Sequence, residues 1–302
     1  MHKFFKVLLF LLFLWVVSWT IASVFFAGQG FTFGENQIAV VPIHGMITLG
    51  GTESLFSTGS SANDIVAMID DASSDDAIKG VVLDINSPGG TVMGSKRIAD
   101  AVKKVDKPVV AVISETGTSG AYWIASQADV IVADELSLVG SIGVMGSYLE
   151  FGGLLEDYNV TYQRLVTGDY KDISTPFRAM SLEEEALIDQ RLQGIHDYFV
   201  AEVARGRNMP VEDVEVLANG LFYLGQDAVT NGLVDEIGDQ TYAINLTKQM
   251  AGVSDGDVVE YTEEAPFFDR FDRYLSYSSF YIGQGIGSVL FTTEASELDI
   301  HV

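Results

Sequence analysis

From Ile38 onward, short β-branched runs alternate with stretches of helical spacing. IAVVPI (38–43), GVVLDI (80–85), PVVAVI (108–113) and DVIVAD (129–134) are nearly continuous in apolar residues, which predicts strands covered on both faces. Between them Ile65, Met68, Ile69 and Ala72 recur at helical intervals, as do Ile98, Val102 and Val105. This βαβ rhythm predicts an α/β domain with mainly parallel strands. A long helix is predicted to start at Ser181, where Ser181-Leu-Glu-Glu184 forms a capping box. Leu187, Ile188, Leu192, Ile195, Phe199 and Val203 line one face of it, with Arg205, Arg207 and Pro210 marking its end.

The two ends of the chain break this rhythm. Residues 7–27 are 21 consecutive uncharged, mostly apolar residues, enough at about 1.5 Å each to span a hydrocarbon core of roughly 30 Å. Lys3 and Lys6 precede them and no acid occurs before Glu35, so the positive-inside rule keeps the short amino end cytoplasmic and sends the rest outside. The rival is a cleaved signal peptide, but the apolar core is long for one, and Phe25 and Phe26 stand where small residues are wanted. An uncleaved anchor over 1–27 is the reading adopted, followed by a linker over 28–37, a main domain over 38–250 and a carboxyl-terminal segment over 251–302. Within that last segment 274–293 is uncharged, yet its SYSS and GQG stretches suit a strand or interface better than a second span.

Composition narrows the chemistry. Of the 302 residues 48% are apolar and 11% aromatic, so a folded body is expected. The absence of cysteine removes disulfides, thiol catalysis and thiolate-bound zinc. Seventeen Lys and Arg against 42 Asp and Glu give a net charge of −25, which repels phosphate backbones and disfavours nucleic acid as a partner. The acids are spread along the chain and read as a solvated surface, of a kind whose self-repulsion high salt screens.

The histidines are His2, His44, His196 and His301, and none falls in the central strand-and-turn region. A Ser-His-Asp triad therefore lacks an obvious base, and a two-histidine metal site is unsupported; no cofactor or metal is expected. Two glycine-rich turns follow predicted strands. NSPGG (86–90) has the Pro-Gly-Gly run that lets backbone amides such as that of Gly90 face outward. TGTSGAYWIAS (116–126) places Ser119 where a strand gives way to a helix. For an isolated serine that position means an N-cap, and GTSGA does not complete the G-x-S-x-G pattern of α/β-hydrolases. Lys171, in GDYKDISTPFR (168–178), reads in isolation as a surface lysine paired with Asp169 or Asp172. It can act as a base only when neutral, which requires burial, and both carboxylates must then point away from it.

Taken together, NSPGG, SGAYWIAS with Ser119, VGSIGVMG with Ser141, YKDISTPFR with Lys171 and NGLFYLGQDAVTNGLVDEIGD (219–239) resemble the signal peptide peptidase A family in its short form, over about residues 38–250. The resemblance implies a ClpP/crotonase-like spiral of ββα units behind one transmembrane helix. It implies Ser119 as nucleophile, Lys171 as general base, Ser141 orienting the lysine, and the amides of Gly90 and Gly120 holding the oxyanion. It also implies a ring of identical subunits, with serine and lysine supplied by neighbouring protomers. The expected substrates are signal-peptide remnants or other loose peptides at the outer face of the membrane. Two alternatives stay open: a related membrane protease with one specific protein substrate, and a tethered scaffold whose serine and lysine are structural. An acyl-CoA enzyme of the same fold would leave both the Ser–Lys pair and the anchor unexplained.

Overall fold

The computed structural model describes residues 12–13, 36–50, 52–54 and 57–262. The predicted anchor over 7–27, apart from two residues, and the 274–293 segment lie outside them. Among the described residues no helix is long and apolar enough to cross a membrane. The chain divides into a unit ending at Tyr261 and a second from Thr262, of which only the first residue is described.

In the first unit the elements run β1 (Gln37–His44), β2 (Thr52–Ser54), β3 (Ser57–Gly59), α1 (Ala62–Ser74), β4 (Ile78–Ser87), α2 (Val92–Val102), β5 (Val109–Thr118), α3 (Gly120–Ala125) and β6 (Val130–Ala133). Then come β7 (Leu138–Gly140), α4 (Gly152–Asp157), α5 (Leu182–Gly206), α6 (Val211–Leu217), β8 (Phe222–Leu224), α7 (Gly225–Thr230), β9 (Glu236–Ile237), α8 (Gln240–Met250) and β10 (Val258–Glu260). The main sheet is ordered β10-β1-β4-β5-β6-β9 and all its neighbours are parallel. β2 and β3 form a separate hairpin.

Alternation explains why the strands read as unbroken apolar runs. Val41, Ile43, Leu83, Ile85, Ala111, Ile113 and Ile131 join a core with α1, α2, α3 and the second half of α5. Ile38, Val40, Val82, Val110, Val112 and Val132 face the other way, against Ala243, Ile244 and Leu246 of α8. With both faces buried, the central positions of these strands are apolar, each large side chain contributing roughly 1.5–3 kcal/mol. The α/β reading with parallel strands holds. Two boundaries differ from it. α2 stops at Val102, and Val105 packs on the core from the turn beyond. β5 runs five residues past Ile113, through the exposed Ser114 and Glu115, because Thr116–Thr118 pair with β7. β7 in turn pairs with β8, antiparallel.

Between β7 and α5 the chain leaves this framework. Residues 144–181 contain only α4 and turns, and carry bare apolar side chains: Met145 is 83% exposed and Leu165 94%. With little secondary structure, the excursion is fastened by a backbone bond and by side chains. Phe151 N–H donates to the Pro176 carbonyl at 2.7 Å, and Tyr162 and Phe177 pack ring to ring at 5.4 Å. A chain of charges completes the fastening. Both Asp172 oxygens accept from Arg164 at 2.8 Å, and Arg178 reaches the same oxygens at 3.3 and 3.4 Å. Arg178 also forks onto Glu184 at 2.7 and 2.8 Å. Glu184 accepts from the Ser181 amide at 2.8 Å, which closes the expected capping box.

Arg164 and Arg178 hold the Asp172 carboxyl well below the usual range, and Arg178 with the Ser181 amide holds Glu184 down to about 2. A depressed carboxylate pKa stabilises the fold above the unfolded value of about 4.3, and that stability is lost as pH falls through the folded value. Glu184→Gln should therefore lower the melting temperature near neutrality, by an amount that shrinks as pH drops from about 5 to about 2. Melting curves of both proteins across that range check it. A gap that stays constant with pH would show that the Glu184 charge contributes nothing.

Candidate active site

The site is built where β5 becomes α3. Thr118 ends the strand, Gly120 opens the helix, and Ser119 alone makes the turn with φ 53° and ψ −125°. That left-handed backbone costs a non-glycine residue of order 1–3 kcal/mol and persists only where its surroundings enforce it. Here they do: the Ser119 amide donates to the Gly140 carbonyl at 2.7 Å, extending the β5–β7 ladder, and its carbonyl accepts from Trp123 at 3.0 Å, starting α3. The N-cap reading fails, because the Ser119 hydroxyl makes no capping bond. It is half-buried and has no hydrogen-bond partner among the described residues. This is the sharp strand-to-helix turn that presents a nucleophilic serine in other folds, formed without the full glycine pattern.

The NSPGG loop packs on that turn. Gly89 has φ 95°, and a Cβ there would lie 2.7 Å from the Gly120 amide nitrogen and 2.9 Å from the Ser119 Cβ, so only glycine fits. The loop is pinned by Ile47, whose amide donates to the Gly89 carbonyl at 2.9 Å and whose carbonyl accepts from Thr91 at 2.8 Å. This pairing steps over Gly90. The amides of Gly90 and Gly120 both lack an acceptor among the described residues. A Cβ on Gly120 would lie 3.5 Å from the Gly90 nitrogen, in the space in front of it, and 2.0 Å from Ser95 Oγ. Two unpaired amides beside a free hydroxyl form an arrangement able to bind a developing oxyanion.

A cleft of about 550 Å³ opens over these groups, lined by Gly90, Ser119, Gly120 and Ser141 together with Ile195, His196 and Phe199 of α5. Four of the five expected site residues therefore share one cavity. Ser141 follows β7 at φ 48°; its amide donates to the Leu221 carbonyl at 3.1 Å and its hydroxyl to the Gly220 carbonyl at 2.9 Å. That leaves the lone pairs of Oγ to accept from an amine. Lys171 is the exception: it sits in the turn over 168–172 of the excursion and does not line the cleft, and it is exposed, so the burial expected of a lysine base is not met within one chain. Asp172, which had to turn away from it, gives both oxygens to Arg164 and Arg178.

Three lining residues carry no signal in the sequence pattern. Ser95 is fully buried, its hydroxyl unpartnered among the described residues, one turn into α2 against Gly120. Trp123 stacks on Phe199 at 4.9 Å and ties α3 to α5. His196, read only as a helix residue, lines the cleft together with Ile195 and Phe199 of α5. Its Nε2 lies 2.9 Å from the Ala218 carbonyl and must donate to it, so that nitrogen holds a proton and has no lone pair to offer as a base. Among the described residues no group of three or more His, Asp or Glu is placed to hold a metal ion.

Comparison with known proteins agrees with this geometry. The model of Peptidase family S49 matches residues 101–254, and that of Clp protease residues 52–132. A protein of Methanocaldococcus jannaschii, named provisionally as a protease, is 38% identical over 232 residues, covering 76% of this chain and 74% of its own. A protein of Enterococcus faecium, named provisionally as signal peptide peptidase SppA, is 36% identical over 238 residues, 78% of this chain and 69% of its own. Protease 4 of Haemophilus influenzae is 32% identical over 218 residues, 71% of this chain but 35% of its own. With a free serine on an enforced turn, two unpaired amides beside it and these matches, the chain belongs to peptidase family S49 and is a serine peptidase.

Proposed function

We propose that the enzyme is a membrane-anchored endopeptidase in which Ser119 is the nucleophile and Lys171 the general base. The observation that carries the reading is the Ser119 hydroxyl, free of capping duty and facing a cleft with two unpaired amides. Ser119 Oγ attacks the scissile carbonyl carbon while the neutral Lys171 amine takes its proton. The amides of Gly90 and Gly120 hold the oxyanion. Lys171 then protonates the leaving nitrogen as the C–N bond breaks, and a water molecule hydrolyses the Ser119 ester by the same proton route. Ser141 accepts from the lysine amine and orients it.

Lys171 reaches Ser119 in this account from a second copy of the chain. What supports it is the excursion over 144–181, whose bare Met145, Leu149, Tyr158 and Leu165 give a partner apolar surface to cover. The parallel strands with helices on both faces and the Clp protease match support a spiral of ββα units assembling into a ring. The uncharged run over 7–27 supports an anchor with the catalytic body outside the membrane, and 38–250 with its linker over 28–37 as the working domain. Peptides left loose at that surface, such as signal-peptide remnants, fit a cleft walled by Trp123, Ile195 and Phe199.

A fluorophosphonate tests the nucleophile: it should label wild-type protein at Ser119 and leave Ser119→Ala unlabelled. Ser119→Ala and Lys171→Ala should each abolish peptide cleavage, since nucleophile and base act as a unit, while His196→Gln keeps measurable turnover. Full turnover by Lys171→Ala, or a dead but folded His196→Gln, would replace the lysine mechanism with a histidine one. For the topology, protease added outside intact cells should digest the body and leave a membrane-bound amino-terminal stub. A fully protected chain would invert the orientation.

A further inference from the structure

The turn that carries Lys171 has no strand or helix of its own, yet a general base must be held to a fraction of an ångström. The charges around it supply what the backbone does not. Asp172, the next residue, is 10% exposed, with both oxygens committed. Arg164 takes them in a two-point fork, and its Nη2 also donates to the Asp169 carbonyl at 2.8 Å, on the other side of Lys171. Arg178 joins the same carboxylate to Glu184 in the first turn of α5, and so to the capping box. The turn over 168–172 is thus gripped on both flanks of Lys171 and bolted to the end of a 25-residue helix.

The arrangement also settles a charge conflict. An unpaired carboxylate beside Lys171 would favour the ammonium form, which cannot accept a proton. Asp172 instead faces two guanidinium groups, and with Glu184 the four side chains carry two positive and two negative charges. No chemistry at the scissile bond requires these groups, so any effect they have on catalysis must pass through Lys171.

We propose that Asp172 is a positioning residue for the base, with Arg164 and Arg178 as the guanidinium groups through which it fixes the Lys171 turn. This rests on the reading of Lys171 as base. The test uses the full chain in detergent and measures kcat and KM on a fluorogenic peptide whose cleavage requires Ser119. Asp172→Asn should lower kcat about a hundredfold, the scale of a 1 Å misplacement, with KM within about twofold of wild type. Arg164→Gln should act in the same direction, and Arg164→Lys should restore little, because a single ammonium cannot fork across both oxygens. The double variant Arg164→Gln/Asp172→Asn should be no worse than Asp172→Asn alone, as for groups acting as one unit. If Asp172→Asn fails to fold, Arg164→Gln decides the matter, because it leaves Arg178, Glu184 and the capping box intact. A melting temperature that falls while kcat stays within about twofold would reduce the network to a structural clasp and overturn the proposal. So would a loss expressed wholly in KM, or full rescue by Arg164→Lys. Lys171→Ala, assayed alongside, separates the two claims: if it remains active, the base assignment itself has failed.

Discussion

Everything at the site depends on one peptide turn. β5 must reach past the apolar sheet to pair with β7, and α3 must begin at the very next position after Ser119, so a single residue absorbs the whole change of direction. The strain is met by bonds on both sides, from the Ser119 amide to Gly140 and from Trp123 to the Ser119 carbonyl. The buried α3 then anchors the far side through Trp123 on Phe199. Because backbone bonds hold the turn, the hydroxyl is left without a partner among the described residues. Because Gly89 has no side chain, the NSPGG loop can lie against the turn closely enough to bring a second free amide beside the first.

Rigidity and exposure are divided between two parts of the molecule. The proposed nucleophile and oxyanion amides stand at the end of β5 and the start of α3, next to a sheet whose central strands are buried on both faces. The proposed base stands on an excursion that shows apolar side chains to solvent and is fastened by charges. A base on such a segment is free to meet a site on another copy, provided its own turn is held, and that is the work assigned to Asp172. In a chain of net charge −25, most carboxylates are solvated. Asp172 of the excursion and Glu184 at the start of α5 are instead held by arginines.

Much of this is legible in the residues. The strand runs, the α1 stripe, the α2 stripe as far as Val102 and the capping box of α5 follow from period and chemistry, and lie where they were expected. The last five residues of β5 do not, because pairing with β7 is a tertiary event that no apolar pattern announces. Ser119 reads locally as an N-cap, and its backbone angles and missing capping bond distinguish it from one. Ser95, Trp123 and His196 reach the cleft through packing of α2, α3 and α5, which spacing along the chain does not encode. Asp172 looks from the sequence like a hazard to Lys171, since its arginine partners lie eight residues before it and six after.

The central claim is that a working site joins the Ser119 cleft of one copy to the Lys171 turn of another. Mixing Ser119→Ala with Lys171→Ala, each inactive alone, measures this most directly. In mixed assemblies verified by differential tags, some boundaries pair an intact serine with an intact lysine, so a fraction of wild-type cleavage should return. Mixed assemblies that remain dead would contradict the claim and place both residues of a working site in a single chain.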